Sequence, residues 1–265
     1  MAVIKMNFLS QCLGMQTNVT ICLPSYSFKD RMDGRKEVYV PGMKYQVLWL
    51  LHGGSGDDSD YLHFSNITRY ADDNKLAVVM PCGYNSCFMD EENGVQYMKY
   101  IAEELPKMCR AIFPFSDKRE DNFIGGLSMG AHGAQWTALH YPQQYSAALI
   151  MSGGGIFFEK YWHREPDPKN PMSPHPDDVP EKARKLAQEA VANGTIIPKY
   201  LMTWGENDHL SPSLSAAAEF LKETGVSLET DIVPGYKHEW DFWDLALRKA
   251  INEWLPIRHS VIYPE

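Results

Sequence analysis

The sequence lacks the features of a membrane-spanning or disulfide-stabilised protein. It has 265 residues, and nowhere does it contain the roughly 18 consecutive apolar residues that a transmembrane helix needs. Its five cysteines are an odd number without a CxxC pair, so neither a disulfide framework nor a zinc-binding motif is predicted. The first residues, MAVIKMNFLSQCLGM, contain no uninterrupted apolar segment of the kind found in secretory leaders. We therefore expect a cytoplasmic protein.

Positive charge and internal repeats are also scarce. There are 25 Lys and Arg residues against 34 Asp and Glu residues, a formal net charge of −9. This balance repels phosphate backbones and anionic lipid surfaces, so neither nucleic acid nor a membrane is an expected partner. No segment repeats at a period of about 20 to 50 residues, which excludes solenoids and propellers. With 44% apolar and 22% charged residues, the chain has enough core material for a single domain spanning 1–265.

Short apolar runs alternate with amphipathic stretches along most of the chain. The clearest amphipathic stretch, 95–112, carries apolar residues at three- and four-residue spacing and predicts a helix. Segments near 3–9 and 17–23 predict antiparallel edge strands. This alternation predicts an α/β fold with a mostly parallel central sheet flanked by helices. The apolar runs suit strands buried on both faces and lie at 46–51, 76–80, 122–125, 147–151 and 199–204.

The region 155–198 interrupts this alternation. Six prolines fall within 165–180, which excludes a regular helix there, and a helix is predicted from about Pro180 to Ala192. We expect a small cap insertion over the site. Its aromatic residues either line an acyl pocket or hold the cap against the sheet, and they are Phe157, Phe158, Tyr161 and Trp162. The insertion's possible metal ligands lack the spacing of a zinc site, so no metal is expected, and they are His163, His175, Asp177 and Asp178.

The stretch NFIGGLSMGAHG contains a Gly-x-Ser-x-Gly motif centred on Ser128. The motif alone is a weak signal, but here it follows a predicted strand and precedes a predicted helix, as a nucleophilic serine requires. Gly126 and Gly130 leave room for the sharp turn. The alternative is that Ser128 only caps the helix.

A nucleophilic serine needs backbone N–H groups that stabilise the oxyanion. The loop LLHGGSGDD follows the strand at 46–51, and we expect the N–H groups of Gly54 and Met129 to form the oxyanion hole. A glycine-rich loop after a strand could instead bind phosphate, but the sequence contains neither GxGxxG nor a P-loop motif.

The serine also needs a base, and the base needs a carboxylate, in the chain order serine, acid, histidine. Among nine histidines, position singles out His238, which follows the last predicted strand. Asp208 and Glu206 are both candidates for the acid, and Asp208 is preferred because it lies further into its loop. Asp231 is a poorer third candidate because it lies within a predicted strand.

Four stretches together resemble one family. VLWLLHGGSGDDSDY, FPFSDKREDNFIGGLSMGAHG, WGENDHL and KHEWDFWDLAL look like the esterase D branch of the α/β-hydrolases, especially the bacterial tributyrin esterases. Feruloyl and acetylxylan esterases, S-formylglutathione hydrolases and mycolyltransferases are related to this branch. The resemblance runs from about 1 to 255 and is weakest across 155–198.

This resemblance implies the α/β-hydrolase fold. It also implies that Ser128, Asp208 and His238 form a catalytic triad and that the N–H groups of Gly54 and Met129 form the oxyanion hole.

The chain departs from the family pattern at a few positions near these residues. Ala131 and His132 stand where relatives often carry Gly and Tyr, and His209 stands where they often carry an aromatic residue. Gly54 stands where tributyrin esterases can carry methionine. These departures leave the implied triad intact and bear on substrate preference.

The predicted function is that of a serine carboxylesterase. It would hydrolyse short-chain acyl or hydroxycinnamoyl (feruloyl-type) esters through an acyl-enzyme, with a small-molecule ester as partner and no metal or organic cofactor. The sequence leaves a homo-oligomer open. An acyltransferase would use the same triad, as would an S-formylglutathione hydrolase, against which the acidic balance argues. A non-catalytic binding protein would normally lack a triad member.

Overall fold

The computed structural model describes residues 1–35, 37–91, 94–154 and 180–264, and its centre is one eight-stranded sheet. The strand order is β1-β2-β4-β3-β5-β6-β7-β8. The bounds are Ala2–Leu9 (β1), Gln16–Leu23 (β2), Gln46–Leu51 (β3), Leu76–Pro81 (β4), Asn122–Leu127 (β5), Ala147–Met151 (β6), Lys199–Gly205 (β7) and Leu228–Val233 (β8).

The predicted mixture of parallel and antiparallel pairing is confirmed. β1 pairs antiparallel with β2, and β2 pairs antiparallel with β4, whereas the strands from β4 across to β8 are parallel. The edge strand β1 alternates half-buried and exposed residues, as an edge strand covered on one face does. This architecture, a mostly parallel sheet with antiparallel pairing at one edge, is the one that the α/β-hydrolase resemblance implies.

Helices flank the sheet on both faces. The segment 97–112 is helical throughout, as predicted, but a π-helical turn, Tyr100–Glu104, joins its two α-helical parts. Among the described residues, no helix is both long enough and apolar enough to cross a bilayer. The α-helices are Phe28–Met32 (α1), Asp60–Phe64 (α2), Ile67–Asp73 (α3), Tyr97–Lys99 (α4), Leu105–Ile112 (α5), Met129–His140 (α6), Pro180–Ala192 (α7), Ser211–Glu223 (α8) and Trp240–Lys249 (α9).

The central strands are buried on both faces, which explains their continuous apolar sequences. Along β3, Val47 and Trp49 pack into the core on one side of the sheet, while Leu48 and Leu50 pack into the core on the other. All six residues of β3, β4 and β5 are buried. Burying each large apolar side chain contributes roughly 1.5–3 kcal/mol to folding. Burial on both faces therefore favours the middle of the sheet for these apolar runs.

The predicted helix after the proline-rich segment is confirmed as α7, which buries Ala183, Ala187 and Ala190 and packs against α6. Residues 155–179 lie outside the described residues. The cap that was expected at 155–198 therefore stays a prediction.

Candidate active site

Ser128 lies at the sharp turn between β5 and α6, at the carboxyl end of the sheet. Its backbone has φ 52° and ψ −116°, a conformation that residues other than glycine rarely adopt. A Cβ atom at Gly126 would lie 2.4 Å from the backbone of Gly130, and one at Gly130 would lie 2.2 Å from the carbonyl oxygen of Leu51. Both glycines are therefore needed to seat the start of α6 against the ends of β3 and β5, as the sequence motif predicts.

His238 connects Ser128 to Asp208. Its Nε2 lies 3.0 Å from Ser128 Oγ, and its Nδ1 lies 2.9 Å from Asp208 Oδ2. An ionised carboxylate only accepts hydrogen bonds, so Nδ1 carries the ring proton and Nε2 is free to accept the serine hydroxyl proton. The three residues come from loops after β5, β7 and β8, whose carboxyl ends meet at one edge of the sheet.

The carboxylate of Asp208 is buried and is stabilised in its ionised form. Burial raises its pKa, but the hydrogen bond from His238 and the one from the Leu210 N–H, at 2.9 Å to Oδ1, outweigh that effect. The pKa of Asp208 therefore lies below its ordinary value, and this carboxyl is ionised at neutral pH.

The other two carboxylates that the sequence offered lie elsewhere. Glu206 is exposed, and Asp231 is held on β8 by an ion pair with Lys249, whose Nζ lies 2.6 Å from its Oδ2. The structure thus places Asp208 against His238, and neither Glu206 nor Asp231.

Both segments that carry the expected oxyanion-hole groups adjoin Ser128. Met129 is the first residue of α6, and the first N–H groups of a helix have no acceptor within the helix. On the other side, a Cβ atom at Gly53 would lie 3.7 Å from Ser128 Cβ, so the loop after β3 runs beside the serine. This loop carries Gly54, whose N–H is the second predicted donor.

His52 orients that loop, a role the sequence did not suggest. It is almost completely buried, its Nε2 accepts the N–H of Gly83 at 2.8 Å, and its Nδ1 lies 2.7 Å from the carbonyl oxygen of Gly53. A backbone N–H can only donate, so the ring proton is on Nδ1 and is donated to Gly53. In a trans peptide the Gly53 C=O and the Gly54 N–H point in opposite directions, so this bond sets the direction of the Gly54 N–H.

Three aromatic side chains form a shelf beside His238, and we call Phe64, Trp240 and Trp243 the aromatic shelf. The Trp243 ring lies 5.0 Å from the His238 ring, Trp240 lies 5.3 Å from Trp243, and Phe64 lies 5.1 Å from Trp240. Phe64 is 56% exposed, so the outer end of the shelf is open to solvent.

The four aromatic residues expected either to line an acyl pocket or to hold the cap against the sheet cannot be placed relative to this shelf. They are Phe157, Phe158, Tyr161 and Trp162, all outside the described residues. The sequence analysis missed the shelf because Phe64 is distant in sequence from the two tryptophans.

One further histidine lies next to the three residues. The His209 ring lies 4.9 Å from the His238 ring, and its Nδ1 lies 3.6 Å from Asp208 Oδ1. Within the described part of the chain, Asp208, His209 and His238 are the one group of three whose ligand atoms approach closely enough to share a metal ion.

Comparison with known proteins identifies a family and several relatives. Residues 10–255 match the Esterase family, described as "Putative esterase". An acetyl esterase of Caldicellulosiruptor saccharolyticus is 29% identical over 96% of this chain and 98% of its own length.

Two solved Staphylococcus aureus structures superpose on nearly the whole chain. One is a fluorophosphonate-binding serine hydrolase F, with 29% identity and a TM-score of 0.79. The other is an S-formylglutathione hydrolase, with 30% identity and a TM-score of 0.79. Each alignment covers 96% of this chain and 98% of the other.

Proposed function

The chain belongs to the Esterase family of α/β-hydrolases and is a serine carboxylesterase, and we propose that Ser128, His238 and Asp208 are the nucleophile, base and orienting acid of its reaction. The observation that carries this assignment is the unbroken chain of two hydrogen bonds, 3.0 Å from Ser128 Oγ to His238 Nε2 and 2.9 Å from His238 Nδ1 to Asp208 Oδ2.

In the first half of the reaction, His238 Nε2 takes the hydroxyl proton as Ser128 Oγ attacks the ester carbonyl carbon. The carbonyl oxygen becomes an oxyanion that accepts hydrogen bonds from the N–H groups of Met129 and Gly54. Each such donor is worth about 3–4 kcal/mol in the transition state. Asp208 stabilises the imidazolium cation, which then protonates the departing alcohol and leaves an acyl group on Ser128.

In the second half, water replaces the alcohol. His238 takes a proton from the water as it attacks the acyl carbonyl, the same N–H groups stabilise the second oxyanion, and the proton returns to Ser128 Oγ as the carboxylic acid leaves. Besides the ester and the water molecule, these steps use side chains and backbone groups of this chain.

We propose esters of short acyl groups, acetyl above all, as the substrates. The support is the acetyl esterase relative, which aligns along almost the whole length of both proteins. An S-formylglutathione substrate carries two carboxylates, and the net charge of −9 disfavours it electrostatically. Hydroxycinnamoyl esters are the second candidate, because the aromatic shelf of Phe64, Trp240 and Trp243 runs from His238 to the exposed ring of Phe64 and could contact an aromatic acyl group.

The decisive experiment measures hydrolysis of p-nitrophenyl esters from acetate to decanoate, of methyl ferulate and of S-formylglutathione by the wild type and by Ser128→Ala. We expect the highest kcat/KM with acetate and loss of all these activities in Ser128→Ala. Ser59→Ala is the matched control and keeps the wild-type rates. Equal rates in Ser128→Ala and the wild type would refute Ser128 as the nucleophile. A clear maximum with methyl ferulate would replace the acetyl preference with the hydroxycinnamoyl one.

Two further measurements test which residue is the nucleophile and whether water or an alcohol accepts the acyl group. A fluorophosphonate reagent is expected to label the wild type on the peptide containing Ser128 and to leave Ser128→Ala unlabelled. Product analysis with added alcohol distinguishes hydrolysis, which releases the free acid, from acyl transfer, which gives a new ester.

We also propose a cytoplasmic location. None of the five cysteines, all within the described residues, forms a disulfide bond, and four of them are buried, which suits a reducing compartment. Fractionation of the native host, with the protein absent from the cytoplasmic fraction, would refute this.

A further inference from the structure

We propose that Asp208, His209 and His238 form a binding site for a divalent transition-metal ion such as Zn²⁺, and that the bound ion inhibits the enzyme reversibly. The proposal has two parts. Metal binding rests on the geometry of the three side chains alone, whereas inhibition also rests on the proposed function of His238.

The three side chains have the chemistry and spacing that Zn²⁺ requires. Zn²⁺ binds His nitrogens and carboxylate oxygens at about 2.0–2.2 Å in a tetrahedral arrangement, which puts neighbouring ligand atoms roughly 3.3 Å apart. The two imidazoles approach the two oxygens of the Asp208 carboxylate, with His238 Nδ1 at 2.9 Å from Oδ2 and His209 Nδ1 at 3.6 Å from Oδ1. All three ligand atoms lie within 4.8 Å of one another. Rotation of the exposed His209 side chain would bring its ligand atom to tetrahedral spacing, with water as the fourth ligand.

Buried side chains hold one side of the site in place, and the other side is open to solvent. The Asp208 side chain is fully buried and the His238 side chain is 19% exposed, so neither moves freely. The His209 side chain is 70% exposed and gives an ion a path from solvent. A buried carboxylate between two imidazoles, one of them at the surface, is also more selective for a metal than a cluster of exposed acids, because the nitrogen ligands favour transition metals over Mg²⁺ and Ca²⁺.

A metal at this site would block the reaction by fixing the wrong form of His238. Nδ1 now carries the ring proton, and an ion bound there would use the lone pair of Nδ1. The neutral ring then carries its proton on Nε2, transferred through solvent, so the ring neither gains nor loses a proton overall. Nε2 faces Ser128 Oγ at 3.0 Å and would no longer have a lone pair to accept the serine proton. His209 makes this possible in this chain, because a phenylalanine at the same position would supply no ligand.

The binding test does not depend on activity. It uses protein without a polyhistidine tag and compares Ser128→Ala with Ser128→Ala combined with His209→Phe. We expect one Co²⁺ ion per chain to give the visible absorption of a tetrahedral complex with the first protein and not with the second. Zn²⁺ is expected to displace the Co²⁺ and to bind in calorimetry with the same stoichiometry. No tetrahedral Co²⁺ spectrum, or the same spectrum without His209, would overturn the site.

The inhibition test compares the wild type with His209→Phe and His63→Phe, each normalised to its own metal-free rate with p-nitrophenyl acetate. Losing an outer-shell partner of a metal ligand costs about 10–100-fold in affinity, so we expect loss of His209 itself to raise the half-inhibitory Zn²⁺ concentration by at least about tenfold. His63 is exposed and is not one of the three ligating residues, so its variant should respond like the wild type. EDTA should restore activity. Equal Zn²⁺ sensitivity in His209→Phe and the wild type would overturn the inhibition even if the esterase activity is confirmed.

Discussion

His52 Nδ1 lies 2.7 Å from the carbonyl oxygen of Gly53, the residue that precedes the predicted oxyanion donor Gly54. The opposite ring nitrogen accepts the N–H of Gly83 at 2.8 Å, so the imidazole is fixed at both ends. Burial lowers the pKa of His52 and keeps the ring neutral, as both hydrogen bonds require. This buried histidine positions the oxyanion loop without contacting the reacting atoms.

Replacing His52 tests this positioning role. Without the bond to Gly53, the Gly54 N–H loses its fixed direction. We therefore expect His52→Ala to lower kcat by about 10–100-fold, less than the 10²–10³-fold of a deleted donor, with a smaller change in KM. His52→Asn, whose amide N–H lies near the position of Nδ1, should recover part of the loss. Equal kcat values for the Ala and Asn variants, or an effect on KM alone, would argue against the role.

The assignment of Asp208 is tested against its neighbour Glu206. Asp208→Asn keeps the shape of the side chain but favours the wrong tautomer of His238, and a comparable change in a serine protease costs about 10⁴-fold in kcat. We expect a loss of that order here, with the acyl-group preference unchanged. Glu206→Gln removes an exposed carboxylate two residues away and should keep the wild-type rate. A large loss in Glu206→Gln with little loss in Asp208→Asn would reverse the assignment.

Acid stability should depend on Asp30, which is buried near the start of the chain. Burial raises its pKa, but hydrogen bonds from Ser27 and from Lys75, whose Nζ lies 2.9 Å away, lower it to about 2. Because the folded pKa is below the ordinary value of about 3.9, ionised Asp30 stabilises the fold above about pH 4, and this contribution is lost as the pH falls towards 2. The shift corresponds to about 2 kcal/mol at neutral pH.

Denaturant unfolding of the wild type and Asp30→Asn between pH 3 and 7 measures this contribution. The wild type should be more stable at pH 7, and about half of the difference should be gone by pH 3. Asp33→Asn changes an exposed carboxylate near the end of the same helix, so its unfolding free energy should stay parallel to that of the wild type. A gap for Asp30→Asn that stays constant down to pH 3 would contradict the prediction.

The strands and the serine turn could be predicted from the sequence because local patterns determine them. β3 is a continuous apolar run because both of its faces are buried, and Gly126 and Gly130 flank Ser128 because backbone lies within 2.4 Å of where their Cβ atoms would be. The predicted strand 122–125 is two residues shorter than β5. In the structure β5 continues to Leu127, because it pairs with β3 on one side and with β6 on the other.

Other features depend on contacts between distant residues. Glu206 and Asp208 lie two residues apart in one loop, and only the path of that loop places one of them against His238. The role of His52 depends on Gly83, which is 31 residues further along the chain. The π-helical turn Tyr100–Glu104 adds no break to the apolar periodicity, so the sequence predicts an ordinary helix there.

The backbone strain at Ser128 yields a prediction about stability. Its φ of 52° with ψ −116° is costly for any residue with a Cβ atom and is accessible to glycine. Ser128→Ala and Ser128→Gly both remove Oγ and its hydrogen bond to His238, so they differ only in the Cβ atom. We expect Ser128→Gly to be more stable than Ser128→Ala by about 1–2 kcal/mol in denaturant unfolding, since the Cβ strain is relieved.

Ser215 in the middle of α8 provides the control with the opposite sign. At a regular helical position glycine is less stable than alanine by about 1 kcal/mol, so Ser215→Gly should unfold at lower denaturant than Ser215→Ala. The same order at both positions, with alanine more stable than glycine, would show that the turn at Ser128 carries no strain. If glycine is the more stable residue at position 128 and alanine the more stable one at position 215, then the backbone conformation that holds the serine oxygen in place for attack lowers the stability of the folded protein.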